Sequence, residues 1–90
     1  MTDENESFDK RLAKVVGYNC KIAREIRGWT RKEAQQAIWQ YQNPDMFPNR
    51  ISELENGDKK IDLKTIFKLC EAYGCSSDFI FGFSDEYERN

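Results

Sequence analysis

The segment from residue 49 to residue 57 carries side chains of the types that form hydrogen bonds with base edges in nucleic acids. Arginine can make a paired contact with guanine, asparagine with adenine, glutamate can accept from the cytosine amino group, and serine suits either role. Ile51 and Leu54 would form the apolar side of a short helix that Gly57 ends. The outward side of that helix is the candidate recognition surface, formed by Asn49, Arg50, Ser52 and Glu53.

Two of these residues keep alternative interpretations. Arg50 on its own could be a solvated surface arginine, but cations predicted near the same edge favour phosphate binding. Glu53 fits least well, because phosphates repel a carboxylate; it either accepts from cytosine or orients Arg50, three residues earlier. The nearby cations are Arg31, Lys32, Lys59 and Lys60.

A second short helix is predicted to open at Thr30. Thr30 and Glu33 have the capping-box spacing, in which each side chain accepts a hydrogen bond from the other residue's backbone amide. Trp29 and Ala34 are placed for a hydrophobic staple. The apolar face would be Ala34, Ala37, Ile38 and Tyr41, whereas Gln35, Gln36, Gln40 and Gln42 would face solvent or a partner. Two short helices in tandem suggest a reader of DNA.

The remaining elements are predicted to be helices as well. The first would run from a cap at Ser7 to near Gly28, and Gly17 inside it either permits close approach of another helix or marks a break. Its apolar stripe would be Phe8, Leu12, Val15, Val16, Cys20, Ala23 and Ile26.

The fourth helix would begin at an Asp62 cap and end before Gly74, and Ser76 or Ser77 would cap a last short turn. Its buried face would be Leu63, Ile66, Phe67, Cys70 and Tyr73. Pro44 breaks the helical pattern before the third helix, and Pro48 suits that helix's first turn.

Composition restricts the class of protein. Ninety residues, 39% of them hydrophobic, form one small domain, and no apolar run approaches the roughly 20 residues of a membrane helix. Residues 1–6 lack a secretory pattern, so we expect a cytoplasmic protein without a membrane partner. Histidine is absent and the three cysteines lack metal-ligand spacing. We therefore expect buried reduced thiols, no metal, no cofactor and no enzyme activity.

The net charge of −2 is unevenly distributed. Residues 1–9 hold four acidic side chains and no basic one, whereas residues 10–77 hold thirteen Lys or Arg and eight acidic residues. Residues 78–90 are again acidic. The predicted organisation is an acidic tail at 1–7, a domain at 8–83 and an acidic tail at 84–90. Such tails either add solubility or weaken non-specific phosphate binding by repulsion.

The order of these motifs resembles the Cro/C1-type helix-turn-helix domain of phage repressors. The matching residues are Arg24, Gly28-Trp29-Thr30 with its capped helix, residues 51–57 and residues 75–82, within a region from Val16 to Phe83. The resemblance implies a compact all-α, five-helix domain whose helix around residues 49–55 enters the major groove while helix two lies across the backbone.

One departure from that family is a lengthened turn between helices two and three. About six extra residues near 40–46 could lengthen helix two, form a wing or change the angle of the recognition helix. Phe47 would then either fill the core or stack on a base.

The resemblance and the charge pattern together assign roles to single residues. Base contacts would come from Asn49, Arg50, Ser52 and Glu53, and DNA-backbone contacts from Arg31, Lys32, Asn56, Lys59 and Lys60. Arg24 and Glu55 match a pair that forms a structural ion pair inside the domain.

The predicted function is a sequence-specific, DNA-binding transcription regulator of the phage or prophage repressor type, with double-stranded DNA as partner. A DNA-binding domain this small covers one half-site of an operator, which favours a homodimer. The interface candidates are Phe79, Ile80, Phe81, Phe83 and Tyr87, the first four of which could instead close the core. The alternative is an antitoxin-like or antirepressor-like module whose C-terminal segment binds a protein partner.

Overall fold

The computed structural model describes residues 4–39 and 49–87, with side chains described from residue 8 onward. Five helices lie in these ranges, and they confirm the all-α fold. They are α1 (Glu4–Arg27), α2 (Arg31–Ile38), α3 (Arg50–Glu55), α4 (Leu63–Tyr73) and α5 (Ser77–Ile80). Predictions about Gln40, Tyr41, Gln42, Pro44, Phe47, Pro48 and the lengthened turn fall on residues 40–48, outside the described residues.

Helix α1 contacts α3, α4 and α5 and provides one wall of the core. It begins at Glu4, so the predicted start at a Ser7 cap is wrong. Val16, Cys20 and Ala23 are fully buried, as the apolar stripe predicted. Phe8 and Ile26, in contrast, are more than half exposed. These two residues are 18 positions apart, which corresponds to about five whole turns, so they lie on the same side of the helix, at one edge of the stripe.

Gly17 lies where α1 meets α3. A Cβ atom there would lie 2.3 Å from the Leu54 carbonyl oxygen and 2.8 Å from that of Glu55. Helix α1 continues through this position without interruption. Of the two interpretations left open by the sequence, close helix approach is therefore correct.

Helix α4 packs with a different face from the one predicted. Ile66, Cys70 and Tyr73 are buried, but Leu63 is 84% exposed and Phe67 is 64% exposed. The centre of the buried face lies between Ile66 and Tyr73, and the face includes Leu69, which is fully buried and was missing from the predicted stripe. At 3.6 residues per turn, Leu63 and Phe67 lie to the side of that centre, which explains the error.

The ends of α4 and the start of α5 follow their capping residues. The Asp62 side chain accepts from the Thr65 amide at 2.8 Å, and Gly74 ends the helix with a φ of 68°. Ser76, one of the two candidates, caps α5 by accepting from the Phe79 amide at 3.0 Å. Local capping signals thus set these boundaries.

The C-terminal segment after α5 returns to the body of the domain. The Ser76 amide donates to the Tyr87 carbonyl at 2.9 Å, and the Tyr87 hydroxyl donates to the Tyr73 carbonyl. The Tyr87 ring meets the Phe79 ring edge-on, with centroids 5.2 Å apart. The segment after α5 therefore returns to α4 and α5 at Tyr87.

The three cysteines are buried and free, as predicted. Burial raises the pKa of the Cys20 thiol well above its usual value, so this sulfur stays protonated at neutral pH. Among the described residues, none of the helices has the length and apolar character needed to cross a membrane.

Candidate nucleic-acid interface

The predicted capping box fixes the start of α2. The Thr30 hydroxyl accepts from the Glu33 amide at 3.1 Å, and the Glu33 carboxylate accepts from the Thr30 amide at 2.9 Å. The hydrogen bond from the Thr30 backbone lowers the pKa of Glu33. Both predicted partners are in place, so the first turn of α2 has a defined entry direction.

The start of α3 is held from another helix. Asn49 stands at the N-cap position without a side-chain capping bond. The Gln35 side-chain carbonyl of α2 instead accepts from the Ile51 amide at 3.0 Å. Gln35 is only 5% exposed, so the prediction that it faces solvent or a partner is wrong. An amide in the first turn of α3 gains an acceptor that its own segment does not supply.

Trp39, to which the sequence reasoning gave no role, lies beside Arg50. It forms the C-cap of α2 and is 6% exposed. The guanidinium carbon of Arg50 lies 4.4 Å from the centre of the Trp39 ring. The available signal was spacing: Ala34, Gln35, Ile38 and Trp39 follow an i, i+1, i+4, i+5 pattern that defines one helix face.

Glu53 pairs with Lys59, a contact that neither interpretation of this residue had named. The Lys59 ammonium lies 3.1 Å from a Glu53 carboxylate oxygen, with 60% of the Lys59 side chain and 41% of the Glu53 side chain exposed. Exposed pairs of this kind contribute about 0 to 1 kcal/mol, so phosphate or a base edge can displace one partner.

Arg24 and Glu55 form a two-point ion pair inside the domain. The Arg24 Nε donates to Glu55 Oε2 at 2.7 Å and Nη2 donates to Oε1 at 3.1 Å. A third donation from Arg24 Nη1 reaches the Trp29 carbonyl at 3.1 Å. The hydrogen bond with Glu55 raises the pKa of Arg24. This pair connects α1 with α3 and with the segment that precedes α2.

Arg31 also approaches this carboxylate. Its Nε lies 3.6 Å from Glu55 Oε1, while more than half of the Arg31 side chain stays exposed. Glu55 is therefore shared between an arginine that is almost fully covered and one that faces solvent. Arg31 is positioned at the start of α2 with donors available on its outer side.

The remaining predicted contact residues lie at the surface around α3. Asn49, Asn56, Lys32, Lys59 and Lys60 are exposed, whereas Arg50, Ser52 and Glu53 are half-buried. A cleft of about 540 Å³ lies where α2 ends, α3 runs and α4 begins. Among the described residues its lining includes Trp39, Asn49, Arg50, Glu53, Lys59, Lys60, Asp62 and Thr65.

The cations on this surface suit contact with phosphates and base edges, and two carboxylates, Glu53 and Asp62, line the same cleft. Arg50, Lys59 and Lys60 provide donors along the cleft, and Asn49 adds an amide that can both donate and accept. The described parts of the chain contain no group of acidic or cysteine side chains arranged to hold a metal ion.

A helix-turn-helix family model matches residues 21–80, which is more than half of the chain. No curated protein and no solved structure matches it. The matched region includes the capped α2, the ion pair from α1 to α3, and α3 with its outward polar side chains. The chain therefore belongs to the Cro/C1-type helix-turn-helix family, a family of DNA-binding transcription regulators.

Proposed function

We propose that this protein regulates transcription by inserting α3 into the major groove of a specific operator. The observation that carries the proposal is the two-sided character of α3. Ile51, Leu54 and Glu55 are buried, while Asn49, Arg50, Ser52 and Glu53 remain wholly or partly accessible. A helix held in this way by α1 and α2 can present donors and acceptors to base edges without reorganising.

The phosphate contacts in this proposal come from the start of α2 and from the segment that follows α3. Arg31 and Lys32 lie in the first turn of α2, and Asn56, Lys59 and Lys60 follow α3. Such residues fix the register of the protein on the duplex, while the α3 side chains select the sequence. The basic body between residues 10 and 77 supports this division of roles.

A binding-site selection from random duplexes tests the proposal. We expect one enriched sequence, and affinity for it should fall as salt rises because counterions are released. An Arg11→Ala variant is the matched control, since Arg11 is an exposed arginine on α1 outside the proposed surface. Selection without enrichment would contradict the proposal, as would equal loss of affinity from Arg11→Ala and Arg50→Ala.

The finer proposal is a phage or prophage repressor-like homodimer. Phe79 and Ile80 are buried within the single chain, so the dimer surface would consist of Phe81, Phe83 and the accessible part of Tyr87. Phe83 is 81% exposed, and its ring lies 5.9 Å from that of Phe81. Sedimentation of the protein free and bound to an inverted-repeat operator should give two chains per operator. One chain in both states would contradict the dimer.

The exposed Phe83 ring beside the half-buried Phe81 supports a second candidate, an antitoxin-like or antirepressor-like module. Asp85 and Glu86 follow Phe83 and are exposed, so an apolar patch lies beside negative charge. A Phe83→Ser variant would then lose a co-purifying protein partner while keeping DNA affinity. Both candidates are binding functions without catalysis, in keeping with the family.

A further inference from the structure

Trp39 stands at the junction between the end of α2 and the start of α3. We propose that it is a positioning residue: its indole ring holds the Arg50 guanidinium in the orientation that recognises a base, so discrimination at that base pair depends on the ring. The inference rests on the proposed function and adds a specificity-determining residue to it.

The indole is itself fixed by the fold. The Trp39 amide donates to the Gln35 carbonyl at 3.0 Å, which ties the C-cap residue to α2. The side chain belongs to the core cluster, together with Ile38 and Ile51. The ring therefore cannot follow Arg50 if the arginine moves, and it acts as a stationary platform.

Arg50 meets this platform from the surface side. Its guanidinium carbon lies 4.4 Å from the ring centre, within the range of a cation–π contact. The guanidinium is planar, and stacking uses a face of the group while its edge keeps the paired donors that recognise guanine. The contact is thus compatible with base recognition and restricts the orientations from which it occurs.

The backbone beside Arg50 is held by the same turn of α2. Gln35 lies four residues before Trp39, on the same side of the helix, and accepts from the amide of Ile51. One turn of α2 therefore contacts both the Arg50 side chain and the backbone of the next residue. This pair of contacts fixes the ring relative to the start of α3, which an isolated surface contact would not do.

A held arginine should discriminate better than a mobile one. A free arginine side chain samples many rotamers and loses that freedom on binding, whereas one already held on a ring loses less. A mobile guanidinium can also reach phosphates or a neighbouring base, which lowers the preference for a single base pair. We therefore expect the ring to change selectivity among base pairs and to leave the number of phosphate contacts the same.

The test compares Trp39→Leu, which keeps a smaller apolar side chain without a ring, with Trp39→Phe, which keeps a ring. Once the operator is selected, the base pair whose preference falls in Arg50→Ala identifies the position that Arg50 contacts. At that base pair, Trp39→Leu should reduce the preference about tenfold. Trp39→Phe should lose clearly less. The salt dependence of binding should stay unchanged in both. In an Arg50→Ala background, Trp39→Leu should change the preference no further, because the two residues act as one unit.

Two further measurements do not depend on a stable Trp39→Leu variant. Ring-fluorinated tryptophan at position 39 keeps shape but weakens the cation–π attraction, so preference should fall while the melting temperature is kept. In the NMR spectrum of the unmodified protein, the Arg50 side-chain Nε proton should show a ring-current shift. An unshifted proton, or full preference with the fluorinated ring, would overturn the inference. If the unmodified protein selects no sequence, the proposed function fails as well.

Discussion

At the scale of single residues, three of the four candidate base-contacting side chains differ in how they are held in the free protein. Arg50 lies against the Trp39 ring and Glu53 pairs with Lys59. Asn49 is exposed and makes no side-chain capping bond. Since ordering a side chain costs conformational entropy, Arg50 is the residue best prepared to contribute net discrimination.

Arg50→Ala and Lys60→Ala should therefore have different effects on binding. Loss of a paired guanine contact should remove about 1 to 3 kcal/mol of discrimination at one base pair. Loss of Lys60 should weaken binding to all sequences alike and reduce the slope of log affinity against log salt by about 1. Fluorescence anisotropy on the selected operator and on its single-base variants measures both. Indistinguishable profiles would contradict the assignment of these two residues.

Gln35 offers a second test at this scale, by replacement with a side chain of similar length that has no acceptor. Gln35→Met should leave the Ile51 amide without its present acceptor and destabilise the protein by about 1 to 3 kcal/mol. Gln36→Met is the matched control, because Gln36 is exposed in the same helix and should change stability by less than about 0.5 kcal/mol. Urea denaturation gives both values. Equal stability of the two variants would mean that the bond from Gln35 to α3 is not needed.

At the scale of elements, the sequence was most informative where a local signal decides the structure. The Thr30–Glu33 box, the Asp62 cap and Gly74 mark helix ends through bonds within a few residues, and each lies where predicted. The outward face of α3 follows from the helical period. Packing between helices decides which face of α4 is buried and places Gln35 and Trp39 against α3. No local sequence pattern predicts that packing. Those predictions were therefore wrong or missing.

The contact between α1 and α3 predicts a strong effect of adding one methyl group. Gly17→Ala would favour an isolated helix, but its Cβ would collide with the carbonyl oxygens of Leu54 and Glu55. We expect a loss of about 3 kcal/mol, at the upper end for overpacking, because backbone must move. Tyr18→Ala, at the exposed neighbouring position, should be close to neutral. Thermal unfolding of both variants measures the difference, and a stabilised Gly17→Ala variant would contradict the close approach.

The helix caps give the stability a defined dependence on pH. Hydrogen bonds from the Thr30 backbone lower the pKa of Glu33, and those from Thr65 lower the pKa of Asp62. Because the folded pKa values lie below the unfolded ones, this stabilisation is complete above the ordinary values of 4.5 and 3.8. It is lost as pH falls through the lowered folded values. As pH falls from about 6 to about 3, the melting temperature of the Glu33→Gln, Asp62→Asn double variant should therefore decrease less than that of the unmodified protein.

At the scale of the whole molecule, charge is separated along the chain but not far apart in space. The longest dimension is 40 Å, and the acidic C-terminal segment folds back so that Tyr87 contacts α4 and α5. Screening shortens the range of surface charges to about 8 Å at physiological salt and lengthens it to about 30 Å at 0.01 M. The acidic end can thus repel a duplex bound at α3 strongly only when salt is low.

Neutralising this end should therefore change DNA affinity in a salt-dependent way. Asp85→Asn with Glu86→Gln removes two exposed negative charges. Affinity for random duplex DNA should rise about twofold or more at low salt, and the gain should disappear near 0.15 M. Replacing Tyr18 by Ala is a control that leaves net charge unchanged, because Tyr18 is an exposed residue of α1 outside the proposed surface. A gain that persists at 0.15 M would indicate direct contact of this segment with DNA, and no gain at low salt would leave solubility as the role of these charges.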